Sequence, residues 1–248
     1  MADEQVVPSV WARPEKSRSA RPALSREQIV TEAIKLLDAE GVDALSMRKL
    51  GQALNAGATS LYRHVANKDQ LLELVVDEIY GELRVPSLDD PAEWRRAIAV
   101  LAHEMRDMIL RHPWIAPILG LVGSTYLGPN VTGLTEEMLG LMEEAGFSLL
   151  EGNRAVKALF AYVIGWTVSE AAWLLALARS GQTEEEWLEQ IRPAMDYAMA
   201  NNPRLARLYA AQRDAHPATE PAQSIPQDEF DYGLARFLDG LEATLARP

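Results

Sequence analysis

Apolar and polar positions follow one another along this chain with the three- and four-residue spacing of amphipathic helices. No stretch has the two-residue alternation of a convincing strand, and no internal repeat is visible, so the pattern predicts an all-α fold. The predicted helices span residues 25–40, 46–54, 58–65, 67–86, 91–111, 135–144, 149–179, 183–201 and 228–246. Residues 1–24 lack the periodicity and contain three prolines, which predicts an unstructured segment.

Local signals mark several of the predicted helix ends. Ser25 with Gln28, and Asn67 with Gln70, have the spacing of capping boxes. Gly41 is placed to end the first helix, because glycine readily adopts the left-handed conformation found after a helix.

The second half of the chain is predicted to contain two loops and one long apolar helix. Residues 120–133 and 212–227 combine glycine, proline and polar side chains, as loops do. The helix at 149–179 is apolar on nearly every side, so we expect it to be buried on several sides. Lys157 and Glu170 interrupt its apolar run and argue against a membrane span.

Two short helices around a tight turn occupy residues 46–68, and Gly57 in the turn is expected to take positive φ. Ser46 is expected to cap the first of them. The inward positions carry Met47, Leu50, Leu54, Leu61 and Val65. The outward positions of the second helix carry Thr59, Ser60, Tyr62, Arg63 and His64. Small hydroxyls followed by an aromatic ring and a cation suit phosphates and base edges.

This stretch resembles the helix-turn-helix of the tetracycline-repressor (TetR) family of bacterial transcription regulators. The matching residues are Met47-Arg48-Lys49-Leu50, Thr59 to Val65, Asn67-Lys68 and Leu71-Leu72. The close match covers about residues 25 to 80, and the rest resembles the family in size and helical order. The resemblance implies a flexible basic arm at 1–24, a DNA-binding domain at 25–70, and a helical ligand-binding and dimerisation domain at 71–248.

By the same resemblance, the DNA contacts fall on Arg48, Ala58, Thr59, Ser60, Tyr62, Arg63, His64 and Lys68. Arg48 is expected to reach guanine O6 and N7, a contact worth about 1–3 kcal/mol of base discrimination. Tyr62 and His64 are expected to hold the DNA backbone. Lys68, at the start of the next helix, is expected to bind a phosphate together with the helix dipole. The role of Arg63 stays open.

The net charge of −12 is unevenly distributed along the chain. Residues 11–68 contain ten Lys/Arg and six Asp/Glu, whereas residues 69–248 contain fourteen and twenty-eight. The basic end coincides with the helix-turn-helix, and an acidic body favours docking through that end. The N-terminal segment carries Arg13, Lys16, Arg18 and Arg21. These cations are candidates for minor-groove contacts, and a solvated leader is the open alternative.

The late helices carry more apolar surface than one chain's core requires. In the family that this chain resembles, the long helix and the last helix form a four-helix dimer interface. Small side chains would allow close approach at Ala158, Ala161, Gly165, Ala171 and Ala172. A homodimer would read two half-sites about 34–36 Å apart, or a multiple of that spacing. Ordinary packing within one chain is the alternative for these faces.

An aromatic and methionine-rich lining suits a large apolar ligand. The candidates are Leu101, Met105, Met108, Trp114, Tyr126, Met138, Met142, Tyr162, Trp166 and Trp173, with plain core packing as the alternative for each. The tetracycline repressor holds a drug–magnesium chelate through a histidine, but residues 114–125 contain none, so a tetracycline–metal ligand is not expected. His103, Asp107 and His112 allow a metal site to be drawn, yet partly exposed surface positions explain all three. No metal or other cofactor is expected.

Enzyme signatures are missing from the sequence: there is no Walker loop, GxGxxG, GxSxG, HExxH or cysteine. The lack of cysteine and of an apolar signal segment fits a cytoplasmic protein. The sequence therefore predicts a homodimeric repressor, released from a palindromic operator by a hydrophobic or aromatic antibiotic or metabolite, and controlling an exporter or a metabolic gene. The alternative is a helical small-molecule-binding or interaction module without operator binding.

Overall fold

The computed structural model describes residues 24–121, 128–215 and 224–245, and every regular element in these ranges is helical. The α-helices are α1 (Arg26–Glu40), α2 (Met47–Ala53), α3 (Ala58–Leu61), α4 (Lys68–Tyr80), α5 (Trp94–Arg111), α6 (Pro129–Glu144), α7 (Leu149–Ser180), α8 (Glu184–Asn201), α9 (Pro203–Ala215) and α10 (Ser224–Leu245). Short 3-10 segments lie at Val42–Ala44, Pro91–Glu93 and Pro113–Leu121. The predicted all-α fold is confirmed.

The predicted Ser25–Gln28 capping box of α1 and the Asn67 N-cap of α4 are confirmed. The predicted box at α4 is incomplete, because the Gln70 side chain accepts the Ala66 amide at 3.1 Å and not the Asn67 amide. The Gln28 amide donates to the Ser25 hydroxyl at 3.1 Å, and the Ser25 amide donates to the Gln28 side chain at 2.9 Å. Gly41 ends α1 with φ of 79°. The Gln70 amide donates to the Asn67 side chain at 2.8 Å. These bonds satisfy donors that a helix start would otherwise leave unpaired.

A small apolar core holds α1 to α4 together. Its fully buried members are Ile29, Ala33, Leu37, Leu50, Leu61, Val65, Leu71 and Val75. α4 packs against α1 on one side and against α6 on another. α4 is therefore shared between the helix-turn-helix and the larger helical region.

The chain divides into two compact units, residues 1–168 and residues 169–248. The first contains α1 to α6 and most of α7. In the second, α8 packs against α9, and Phe230, Leu234 and Leu238 of α10 are buried. The division into residues 1–24, 25–70 and 71–248 stays a prediction.

The turn between α2 and α3 differs from the prediction. Asn55, not Gly57, has the positive φ, with a value of 49°. Asparagine tolerates the left-handed region because its short polar side chain can bond to the local backbone. The Ala56 amide then closes the turn by donating to the Gly51 carbonyl at 2.8 Å.

Several predicted loop and helix boundaries were wrong. α6 begins at Pro129 rather than at residue 135, because proline at a first helical position has a suitable φ. α4 ends at Tyr80 instead of continuing to residue 86. Within the predicted loop at 212–227, residues 212–215 belong to α9 and residues 224–227 to α10.

The prediction that α7 is buried on several sides was wrong. One face of it is exposed and carries Lys157, Ala158, Ala161, Gly165, Ser169, Ala172 and Ala176. Ala171, in contrast, is fully buried. By length and composition α7 could cross a membrane, although part of its most apolar stretch is buried inside the protein. Core helices of soluble proteins meet the same criterion, so this is weak evidence for a span.

Candidate functional site

α2, α3 and the turn after α3 present a polar surface above buried apolar residues. Leu50, Leu61 and Val65 are fully buried beneath it. The exposed side chains are those of Arg48, Thr59, Ser60, Tyr62 and Arg63, and those of His64 and Lys68 are half-buried. Most of the predicted DNA contacts therefore lie on this one polar surface. The Ala58 side chain lies outside the described residues, as do Arg13, Lys16, Arg18 and Arg21.

Lys68 has a structural partner that the sequence did not indicate. Its ammonium donates to the Val42 carbonyl at 2.7 Å, which ties the start of α4 to the turn after α1. An ammonium has three N–H donors, so two remain for a phosphate oxygen. Nearby, Lys49 is paired with Glu40, so its charge is partly neutralised at the surface.

His64 lies in a cationic setting. Desolvation lowers the pKa of its imidazole below the usual value, and the positive charges of Arg26 and Arg63 lower that pKa further. The ring is therefore neutral near pH 7 in the free protein. A neutral imidazole can still donate one hydrogen bond to a phosphate oxygen.

A buried carboxylate links α4 to α6. The Asp77 carboxylate accepts the backbone N–H groups of Asn130 and Val131, each at 3.0 Å, and the Asn130 side-chain amide at 3.1 Å. The N-cap residue of α6 is Gly128, which has no side chain to cap the helix. Asp77 therefore caps α6 from another helix, and no local sequence pattern indicates this contact.

The fit around Asp77 is tight. A Cβ atom added at Gly128 would overlap the Asp77 carboxylate. Desolvation raises the pKa of Asp77, and nearby Glu73 raises it too, against the hydrogen bonds from Val131 and Asn130 that lower it. Only glycine lets α6 approach α4 this closely.

A second link joins α1, the end of α4 and the end of α5. His112 Nδ1 lies 2.7 Å from an Asp38 oxygen, and the Trp114 indole donates to the same oxygen at 2.6 Å. His112 Nε2 lies 3.2 Å from a Glu82 oxygen, and Arg111 donates to Glu82 at 2.7 Å. We call these five residues the junction cluster. The prediction that His112 is a partly exposed surface residue was wrong, since it is buried.

Within the junction cluster, the surroundings of Glu82 favour its ionised form. Burial alone would raise the pKa of Glu82, but hydrogen bonds and positive charge from Arg111 and His112 outweigh burial and lower it. The partners lie 29 to 76 residues apart in the chain. No local sequence pattern could have indicated them.

The candidate ligand residues fall into two groups. Those of α5, α6 and the Pro113–Leu121 segment are buried: Leu101, Met105, Met108, Trp114, Met138 and Met142. In α7, Tyr162 and Trp166 are half-buried, with ring centroids 6.5 Å apart. Trp173 belongs to the second compact unit, where its ring lies 6.5 Å from that of Trp187. Tyr126 lies outside the described residues.

Comparison with known proteins identifies the family. The family described as bacterial regulatory proteins, tetR family, matches residues 29–75, and the tetracyclin repressor-like C-terminal domain matches residues 86–245. An HTH-type transcriptional regulator of Saccharopolyspora erythraea is 40% identical over 165 residues, covering 66% of this chain and 69% of that protein. The HTH-type transcriptional repressor DrrR1 of Streptomyces coeruleorubidus is 31% identical over 234 residues, covering 93% and 82%.

A solved structure supports the same assignment. The TetR family protein ActR of Streptomyces coelicolor, in complex with actinorhodin, matches with a TM-score of 0.70 and 30% identity. The match covers 90% of this chain and 99% of ActR. The helix-turn-helix, the all-α body and these relatives agree. The chain therefore belongs to the tetracycline-repressor family of bacterial transcriptional regulators, and it is a ligand-responsive DNA-binding repressor.

Proposed function

We propose that this repressor binds a palindromic operator as a homodimer and is released by a hydrophobic or aromatic small molecule. The observation that carries the proposal is the exposed polar surface of α2 and α3, supported from below by Leu50, Leu61 and Val65. Polar side chains held on a rigid apolar base suit the reading of a DNA groove. A catalytic role is not proposed.

Within this surface, we assign different roles to different side chains. Arg48 is exposed on α2 and is assigned to a base edge, with Thr59 and Ser60 of α3 reaching bases or phosphates. Tyr62, His64 and Lys68 are assigned to the phosphate backbone, and Arg63, which is exposed beside them, is a DNA contact of open role. Because Lys68 also bonds Val42, a phosphate there would meet a cation that is already held in place. The cations of the N-terminal arm remain candidates for minor-groove contacts.

The homodimer is supported by the exposed face of α7. Along this face Ala158, Ala161, Gly165 and Ala172 are exposed in the single chain. Small side chains let two helices approach closely and bury apolar surface. We assign this face, with α10, to the dimer interface rather than to a membrane, and we place the protein in the cytoplasm.

The ligand class is supported by the buried side chains of α5 and α6. Met105, Met108, Met138 and Met142 are fully buried or nearly so, and methionine adapts to the shape of large apolar molecules. The relative ActR was solved with actinorhodin bound. We therefore propose a hydrophobic or aromatic antibiotic or metabolite as the ligand, and an exporter or metabolic gene as the target.

Two sets of contacts connect the helices that carry the candidate ligand residues to the DNA-binding helices. Asp77 fastens α4 to α6, and the junction cluster fastens α1 and the end of α4 to the end of α5. A ligand that displaces α5 or α6 would therefore displace α4, which begins beside the DNA-contacting surface. A hundredfold loss of operator affinity requires about 2.7 kcal/mol of differential binding.

A salt titration tests the proposal. An operator is first selected from random duplexes, and its affinity is then measured at increasing salt by fluorescence anisotropy. We expect nanomolar binding to a palindrome, with log affinity falling at a slope of about −0.9 per phosphate contacted. Micromolar binding to all sequences alike would instead favour the helical small-molecule-binding or interaction module without operator binding.

A further inference from the structure

Tyr80, the last residue of α4, has a buried hydroxyl without a partner. Its side chain is 2% exposed, and its oxygen is the one buried side-chain N or O atom in the described residues that makes no hydrogen bond. Other buried polar groups have partners: Asp77 bonds α6, and the Thr167 hydroxyl donates to the Val163 carbonyl at 2.7 Å. An unsatisfied buried hydroxyl costs free energy, so its presence calls for a compensating role.

The position of Tyr80 places it where α4 meets α6. It lies three residues after Asp77 and directly before Gly81, and both of these residues approach Asn130 of α6. Glu73, Asp77 and Tyr80 follow one another at helical spacing, so all three buried polar side chains share one face of α4. A group bound at Tyr80 would act directly on the helix that leads to the DNA-contacting surface.

The chemistry of the hydroxyl indicates what it would bind. Burial raises the pKa of Tyr80, so the phenol stays protonated and can donate a hydrogen bond. Its oxygen is buried, so a molecule that reaches it must leave water, which favours an apolar molecule that carries an oxygen acceptor. A carbonyl on an aromatic ring system combines both properties.

We propose that Tyr80 belongs to the ligand site and that its phenol donates a hydrogen bond to a carbonyl oxygen of a polycyclic aromatic ligand. This inference rests on the proposed release by an aromatic ligand. It adds a specific recognition contact and places that contact on α4 itself. Phenylalanine at this position would fill the same apolar space but would lack the donor.

The test compares the wild type with Tyr80→Phe and with the control Tyr197→Phe, whose ring is 77% exposed. The probe is 1,8-dihydroxyanthraquinone, and its dissociation constant is measured by quenching of tryptophan fluorescence. We expect Tyr80→Phe to weaken binding about tenfold, as loss of one buried hydrogen bond does, and Tyr197→Phe to leave it unchanged. In urea, Tyr80→Phe should be at least as stable as the wild type, because it removes an unpaired polar group.

Three results would overturn the inference: equal probe binding by wild type and Tyr80→Phe, lower stability of Tyr80→Phe, or no probe binding by the wild type. Release of the selected operator, followed in parallel with a labelled duplex, tests the proposed function separately. Probe binding that depends on Tyr80 but leaves the operator bound would support this contact and contradict ligand-driven release. If the anthraquinone does not bind but a compound without a carbonyl releases the operator, ligand-driven release would be supported. The hydrogen bond from Tyr80 to a carbonyl would then be contradicted.

Discussion

The Asp77 carboxylate of α4 accepts the backbone N–H of Asn130 at 3.0 Å, so a side chain of one helix caps the first turn of another. Most helices carry their cap in the residue directly before them. Here that residue is Gly128, and the capping oxygen belongs to Asp77, 53 positions before Asn130. The cap therefore fixes the position of α6 relative to α4 as well as the start of α6.

Replacing Asp77 with alanine should destabilise the protein by about 2–3 kcal/mol, because the amides of Asn130 and Val131 lose a charged acceptor inside the protein. Urea unfolding followed by circular dichroism measures this loss. Glu78→Ala is the matched control, since Glu78 is the next residue of the same helix and is exposed. Equal effects of the two substitutions would show that the cap contributes nothing.

Two glycines at α6 should respond in opposite directions to alanine. Gly128→Ala should destabilise the fold, since its Cβ would overlap the Asp77 carboxylate. Gly140→Ala, where nothing lies within 4 Å of the added Cβ, should stabilise it by about 0.5–1 kcal/mol through helix propensity. Thermal unfolding of both variants measures the two changes in stability. A stabilising Gly128→Ala would mean that α6 does not approach α4 so closely.

The junction cluster should affect both stability and DNA binding. Asp38→Ala removes the acceptor shared by His112 and Trp114, which should cost about 1–2 kcal/mol given the partial exposure of Asp38. It should also change operator affinity, because α1 braces the helix-turn-helix. Asp43→Ala, at an exposed acidic residue of the Val42–Ala44 turn, is the control. Wild-type operator affinity in a destabilised Asp38→Ala protein would limit the cluster to a structural role.

Operator affinity should rise about three- to tenfold as pH falls from about 7.5 to 6.0. In the free protein the pKa of His64 is lowered by desolvation and by Arg26 and Arg63. DNA phosphates would offset these cations and raise that pKa, so binding takes up protons. Anisotropy titrations at constant ionic strength measure the effect. His64→Gln should abolish it, whereas His103→Gln on α5 should retain it.

The lowered pKa of His64 affects folding stability in the opposite direction to operator affinity. A histidine pKa below its unfolded value means that the unfolded chain binds the proton more tightly, so stability falls as pH drops through the unfolded pKa. The affinity measurements therefore require a folding control at each pH. If His64→Gln kept the full pH dependence of operator affinity, another group would be responsible.

Features that depend on neighbouring residues were predictable from the sequence. The Ser25–Gln28 capping box, the Asn67 cap and the inward positions Leu61 and Val65 all rest on local spacing, and all are confirmed. The polar surface followed from the same spacing. A local pattern carries this information because cap and partner lie within one helical turn.

Features that depend on distant partners were not predictable. The early start of α6 rests partly on Asp77, and the burial of His112 rests on Asp38, 74 residues away. The positive φ at Asn55 was assigned to Gly57, since glycine is the commoner choice in such turns. The ligand candidates share their composition with ordinary core residues, so sequence alone cannot separate the two.

Two copies of this chain are expected to bind one palindrome together. Sedimentation of the protein with a labelled palindromic operator, and with a duplex carrying only one half-site, measures how many chains each duplex binds and how tightly. We expect two chains on each palindrome and at least ~100-fold weaker binding to the half-site. Only the palindrome contacts the polar surface of α2 and α3 in both chains. A monomer that binds palindrome, half-site and random duplex with equal affinity would contradict the account.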